Sequence, residues 1–274
     1  MRVLAINDIS CIGKCSLSVS LPIISACGVT CDVLPTALLS THTGGFEGYT
    51  FCELTGEIPK ILVHWKTLGE KFEFIYSGYL GSVEQIALVS QIKKDFLKDN
   101  GKLIVDPVMG DDGTLYAGFT QTFVEKMREL CCEADYILPN LTEACALAGV
   151  PYPHFSREAF EKLAEICPHP IVTGIHEGNG ELVSFLNGNG ELKNYSSEHV
   201  EGFFCGAGDV FASAFVGALA RGVEETQAIT LAAEFVGAAV ARSAKEVPDK
   251  RYGLSFEKEL FSFLQKLEKH AAFH

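Results

Sequence analysis

Apolar runs of strand length alternate with stretches of helical period along most of the chain, and that alternation limits the fold more than any single residue does. Arg2 to Asn7, Thr30 to Ala37, Phe74 to Ser77, Leu103 to Val105, Tyr136 to Leu138 and Ile171 to Val172 read as strands. Helices are expected at Ser16 to Ala26, Ile58 to Leu68, Val83 to Leu97, Thr120 to Cys131 and Thr142 to Ala148, and from a Ser156 cap to Ile166. Asn187-Gly188-Asn189-Gly190 between Leu182–Leu186 and Leu192–Tyr195 is a hairpin signal. Beyond it Val210 to Arg221, Glu225 to Ser243 and Phe256 to His270 read as helices. Strands alternating with helices give a mostly parallel sheet covered on both faces, with ligands gathered beyond the carboxyl ends of the strands. No linker or low-complexity stretch interrupts the pattern, so residues 1–274 read as one domain.

Near the end of that pattern stands Phe204-Cys205-Gly206-Ala207-Gly208-Asp209-Val210-Phe211. A glycine turn ahead of a helix leaves backbone N–H groups aimed at one point, with the positive end of the dipole behind them. Such a point suits a phosphate. An aspartate beside it would compete with the anion if it served only as a cap, and it suits a proton acceptor for an attacking hydroxyl. Taken alone, these residues also fit an ordinary loop with a capping aspartate. The polar groups that follow other strands add weight: Asp8, His42-Thr43, Asp106, and Asn140 with Glu143 three residues on. Asp106, Asn140 and Glu143 are oxygen ligands of the kind magnesium takes, although Asn140 could equally cap the next helix. Asp106 to Gly118 is a loop whose glycine-bracketed part, about 110–118, can close as a flap and exclude water. His176-Glu177 reads as a surface turn, and His64 as packing on an apolar helix face.

Bulk properties exclude other classes. A net charge of −13 opposes nucleic-acid binding, which rests on lysine and arginine. Ten cysteines include no Cys-x-x-Cys pair and no zinc spacing, and Cys27, Cys131, Cys145 and Cys167 lie in apolar stretches. Asp8 and Lys14 interrupt the first apolar run, and Ala228 to Ala241 is too short to span a bilayer. Free thiols in a reducing cytoplasm are expected, with no membrane partner. There is no Gly-x-x-x-x-Gly-Lys-Ser/Thr loop and no Gly-x-Gly-x-x-Gly fingerprint.

Gly206-Ala207-Gly208-Asp209 resembles the signature of the ribokinase superfamily. Asp106-Pro107-Val108-Met109-Gly110-Asp111 and Leu138-Pro139-Asn140-x-x-Glu143 resemble its vitamin-kinase branch of pyridoxal and hydroxymethylpyrimidine kinases. Ser40-Thr41-His42-Thr43-Gly44 and Ser77-Gly78-Tyr79 are closer to the pyridoxal kinases. The likeness implies a ribokinase-like three-layer α/β/α sandwich and an ATP- and Mg2+-dependent kinase acting on the 5-hydroxymethyl group of a B6 vitamer. By position, Asp209 would be the base, and Gly206, Ala207 and Gly208 the anion hole. Asp106, Asn140 and Glu143 would set magnesium and its waters, with Asp106 and Glu143 nearest the metal. Thr173 would touch the ATP phosphates, and Asp111 and Tyr116 would belong to the flap. Asp8, His42, Thr43 and Tyr79 would line the vitamer pocket. K+ near the phosphates and a homodimer are family habits.

The chain departs from the pattern in three places. Asp8 stands where pyridoxal kinases have serine, which favours a protonated ring nitrogen or an amine. Leu138 and Ala207 each replace a threonine. The alternatives are hydroxymethylpyrimidine kinase, a sugar kinase of the same superfamily, and, from another class, a non-catalytic nucleotide- or vitamer-binding protein.

Overall fold

The computed structural model describes residues 1–177, 180–186, 189–198, 200–202 and 204–272. In chain order the elements are β1 (Arg2–Ile12), α1 (Leu17–Ala26), β2 (Thr30–Thr41), β3 (Phe51–Glu53), α2 (Ile58–Leu68), β4 (Phe72–Ser77), α3 (Val83–Phe96) and β5 (Leu97–Val105). A small hairpin follows, β6 (Gly110–Asp111) and β7 (Thr114–Leu115), then α4 (Gln121–Glu133), β8 (Tyr136–Ile137), α5 (Leu141–Ala148) and α6 (Arg157–Ile166). The rest is β9 (His169–Glu177), β10 (Gly180–Leu186), β11 (Leu192–Glu198), α7 (Ala207–Ala220), α8 (Glu225–Glu246), a short 3-10 turn at Lys250–Tyr252, and α9 (Glu257–His270).

Nine strands form one sheet in the order β11-β10-β9-β8-β5-β4-β1-β2-β3. The six from β9 to β2 in that order run parallel, and β3, β10 and β11 add antiparallel pairs at the two edges. Successive strand residues point to opposite faces, so a strand covered on both sides must be apolar throughout. In β1, Val3 and Ala5 join the core beneath α1, α7, α8 and α9, while Leu4 and Ile6 join the core beneath α2 to α6. Ile104 against Leu103 and Val105 in β5, and Ile171 against Val172 in β9, divide the same way. Each fully buried aliphatic side chain contributes about 1.5–3 kcal/mol, which is why these central strands read so clearly. The three layers match the sheet covered on both faces that the alternation implies and the sandwich that the family resemblance implies.

Several expectations are corrected. Strand β1 does not end at Asn7 but continues to Ile12, paired with β2 alone after a register shift between Asn7 and Ile9. Strand β2 runs to Thr41, four residues beyond the expected end at Ala37. Strand β3 carries no hydrophobic signal because all three residues are exposed. The third helix stops at Phe96, and β5 starts at Leu97 rather than Leu103, through a polar segment. His176 and Glu177 lie in β9, in register with Glu181 and Gly180, not in a turn. His64 is exposed, because α2 buries Ile58 and Leu62 instead. The hairpin of β10 and β11 forms as expected, with Leu186 opposite Leu192, while Asn187 and Gly188 of its tip lie outside the described residues. No described helix is long and apolar enough to cross a membrane.

Candidate active site

Chain order reverses within the sheet between β1 and β4, because β2 lies on one side of β1 and the later parallel strands lie on the other. A crevice opens beyond the carboxyl ends of strands at such a reversal. Pairing of β1 with β4 stops at Ile6 and Ser77, which frees Asn7 from the ladder on that side. Asn7 Oδ1 accepts the backbone N–H groups of Asp8 at 3.0 Å and Tyr79 at 2.8 Å, and its Nδ2 donates to Asp209 Oδ1 at 3.3 Å. A Cβ on Gly78 would sit 2.2 Å from Asn7 Nδ2, so only glycine lets the asparagine cross there.

Helix α7 delivers Asp209 to this crevice. Gly206 precedes it with φ +80, and a Cβ there would lie 2.2 Å from the Lys14 carbonyl oxygen. No side chain caps the helix. Its first bond runs from Val210 N–H to Gly206 O at 2.9 Å, and among the described residues the Gly208 and Asp209 N–H groups have no backbone acceptor. Those donors face the cleft beside the half-buried Asp209 carboxylate. Burial raises Asp209 to about 6; the Ser16 N–H opposes the shift, the negative Asp8 adds to it, and Asn7 opposes it. A carboxylate in that range is ionised at neutral pH and still basic enough to take a proton.

Helix α5 presents a second N-terminus to the same cleft. Here a full capping box closes it: Asn140 Oδ1 accepts the Glu143 N–H at 2.9 Å, and Glu143 Oε2 accepts the Asn140 N–H at 2.9 Å. Glu143 Oε1 also takes the Met109 N–H at 3.0 Å, and Asn140 Nδ2 donates to Gly110 O at 2.8 Å. The cap reading of Asn140 is therefore correct, and the same residue still reaches the loop after β5. Burial raises Glu143 to about 8 despite the backbone N–H groups of Asn140, Met109 and Gly110. Asp106 is raised too, by burial first and then by Glu143 and Asp209. Three carboxylates thus crowd one region, an arrangement that a cation would relieve. Among the described residues no three His, Cys, Asp or Glu side chains are set to hold a metal. The donor set fits a magnesium ion bound through few carboxylates, with waters and phosphate oxygens completing its shell.

The segment expected to act as a flap folds as the β6–β7 hairpin. Asp112 and Gly113 have φ +45 and +75, as a tight two-residue turn requires, so part of the stretch expected to be loop is a short hairpin, a reading that the Asp-Gly pair could have supplied. Its tip donates from Gly113 N–H to Thr142 Oγ1 at 2.9 Å, and Tyr116 N–H bonds Met109 O at 2.9 Å. Asp111 and Tyr116 line the cleft beneath it.

The cleft measures about 1000 Å3, and all fourteen residues singled out from the sequence line it. That volume lies at the upper end for small-molecule sites and suits two ligands. One end holds Asp8, His42, Thr43 and Tyr79, joined by Tyr49, Phe51 and Phe119, which sequence reasoning missed. Tyr79 stacks near Phe119, with ring centres 6.0 Å apart at 28°. Both His42 nitrogens are already engaged: Nε2 with the Arg251 carbonyl at 2.6 Å, and Nδ1 with the Gly44 N–H at 3.1 Å. The other end, past Thr173, is walled by Val183, Phe211, Ala233, Val236, Gly237 and Val240. Four of these recur at helical spacing on α8, a signal that reads in sequence only as core.

The phosphomethylpyrimidine kinase family profile matches residues 24–252. A Bacteroides thetaiotaomicron protein, provisionally described as a phosphomethylpyrimidine kinase and crystallised with pyridoxal, superposes with a TM-score of 0.90 at 35% identity, covering 96% of this chain and 95% of that one. Pyridoxal kinase from Lactobacillus plantarum superposes with a TM-score of 0.91 at 31% identity, over 99% of both chains. Among curated sequences, Bacillus subtilis pyridoxine kinase is 30% identical over 177 residues, 61% of this chain and 63% of that protein. The matched stretch thus spans less than two thirds of that relative. The chain belongs to the phosphomethylpyrimidine kinase family and stands with its pyridoxal kinases, within the ribokinase-like fold.

Proposed function

We propose that this protein transfers the γ-phosphoryl group of ATP to the 5-hydroxymethyl group of a B6 vitamer. The observation that carries the reading is Asp209, raised to about 6, at a helix N-terminus that no side chain caps. In this mechanism the Gly208 and Asp209 N–H groups, with the turn at Gly206 and Ala207, receive the transferring group. Asp209 accepts the proton of the attacking hydroxyl. Thr43 and Tyr79 hold the vitamer ring, and the apolar wall on α8 holds the adenine beyond Thr173. Magnesium, gathered at Asp106 and Glu143, would neutralise charge developing on the phosphates. Asp111 and Tyr116, carried on the flap, shield the reaction from water. Positioning and electrostatics supply most of the acceleration in this chemistry. A pyridine acceptor is favoured over a pyrimidine by the relative crystallised with pyridoxal.

The test offers pyridoxal, pyridoxamine, pyridoxine and hydroxymethylpyrimidine separately, with ATP and magnesium, and follows ADP release. Turnover on a pyridine well above the pyrimidine is expected. Pyrimidine preference overturns the vitamer assignment, and silence on all four overturns the reaction. Replacing K+ by Na+ in the same assay reads potassium dependence, and sedimentation of the pure protein tests the homodimer that the family resemblance implies.

A further inference from the structure

Ser16 has an unusual backbone for a residue with a side chain. Its φ is +53 and its ψ −133, a conformation open to glycine and held by other residues only where the surroundings compel it. It stands at the start of α1, yet its hydroxyl does not cap that helix. The hydroxyl donates to Asp8 Oδ1 at 2.5 Å, and the Ser16 backbone N–H lies near the Asp209 carboxylate, where it favours the ionised form. Asp8 is 6% exposed, and its second oxygen takes the Ser10 hydroxyl at 3.4 Å. Both oxygens of Asp8 are thereby turned to serines of the protein, although the residue borders the cleft.

From this geometry we infer that Asp8 is a positioning residue for Asp209: through the Ser16 hydroxyl it holds the turn that aims the Ser16 N–H at the base. Asn7 and Asp8, adjacent on β1 at its register shift, then serve the same carboxylate from two sides, one directly and one through Ser16. A charge-assisted O–H···O⁻ bond is stronger than its neutral counterpart, which gives an aspartate here an advantage over serine or asparagine. The negative charge of Asp8 also faces Asp209, as do the titratable groups of Cys15, Tyr76, Asp106 and Cys205, while His42 faces Asp8.

The inference rests on the reading of Asp209 as the base, and its test separates the two. Steady-state kinetics with pyridoxal, pyridoxamine and ATP are measured for Asp8→Ala, Asp8→Asn, Ser16→Ala, Ser16→Gly and the doubles of Asp8→Ala with each Ser16 change. Asp8→Ala is expected to lower kcat about 10- to 100-fold, the scale of a misplaced catalytic group, with every KM within about threefold and the vitamer ranking unchanged. Asp8→Asn, which can still accept the serine hydroxyl, recovers most of the loss. Ser16→Ala falls as far as Asp8→Ala, and the Asp8→Ala/Ser16→Ala double falls no further. Ser16→Gly in the Asp8→Ala background restores turnover, because glycine holds the turn without a prop. Independent, multiplying effects overturn the inference. So does a loss confined to KM or a changed vitamer ranking, either of which makes Asp8 a substrate ligand. Should Asp8→Ala not fold, Ser16→Gly retaining at least half of wild-type turnover while Ser16→Ala does not supports the inference, and equal losses overturn it. Thermal melts of the same set read the coupling without turnover. If the wild type turns over no vitamer, the functional reading fails, while additive melting shifts still overturn, and non-additive shifts still support, the Asp8–Ser16 linkage.

Discussion

Two helices point their N-termini into one cleft, and the sequence treats them in opposite ways. Helix α5 opens with Asn140 and Glu143, which satisfy each other's backbone N–H groups and bind the chain at Met109 and Gly110. Helix α7 opens with Gly206 in the left-handed region, and no side chain fills the place of a cap. A good cap is worth about 1 kcal/mol, so leaving α7 open forgoes stability that α5 takes. The difference separates two tasks. The closed end fixes a carboxylate and ties down the β6–β7 hairpin; the open end leaves backbone donors uncapped, as the proposed anion hole requires.

The comparison breaks most visibly at Asp209. Asp209→Asn keeps the size of the side chain and removes the proton acceptor, so turnover is expected to fall by roughly 10²–10⁴ while ATP affinity, read by calorimetry, stays near wild type. In the wild type, kcat/KM should rise with pH up to about 6 and then flatten, because Asp209 must be ionised to act and ionises near that value.

The closed end is sharpened by a stability measurement. Glu143 is raised to about 8, and Asp106 is raised as well. Carboxyls raised on folding bind more protons in the native state than in the unfolded one, so stability is greatest at low pH and declines as pH rises from about 4.5 through about 8. Without divalent cations the melting temperature should drop by about 5 °C between pH 5.5 and 8.5, the scale of one to two kcal/mol in a chain of this size. Millimolar magnesium should recover it at the higher pH, and Glu143→Gln should flatten the slope. The smallest effect is expected for Asn140→Ala. Loss of the cap and of the bond to Gly110 should cost about 1–2 kcal/mol in chemical denaturation, with turnover reduced less than tenfold.

Much of this arrangement is legible in the chain before any coordinates. Central strands buried on both faces announce themselves as apolar runs, and the glycine turn before Asp209 is local, as is the Asn140–Glu143 spacing. What escapes the sequence is long-range or exposed. Asn7 reaches Asp209 across 202 positions, and the adjacent residues give no hint of that meeting. The apolar wall on α8 reads as ordinary core, although Ala233, Val236, Gly237 and Val240 line a cleft. Strand β3 is exposed throughout and so lacks a pattern. His42 lines the cleft as its position suggests, but the contacts of its nitrogens with Arg251, Gly44 and Cys205, all distant in sequence except Gly44, are not readable from the chain.

The most direct test of the contrast between the two helix ends is a crystal structure with ADP, magnesium, aluminium fluoride and pyridoxal. The planar fluoride, a mimic of the phosphoryl group in transit, is expected against the N–H groups of Gly208 and Asp209, with the hydroxymethyl oxygen within hydrogen-bond reach of the Asp209 carboxylate. Fluoride seated at the α5 end, or an acceptor hydroxyl out of reach of Asp209, would contradict that contrast.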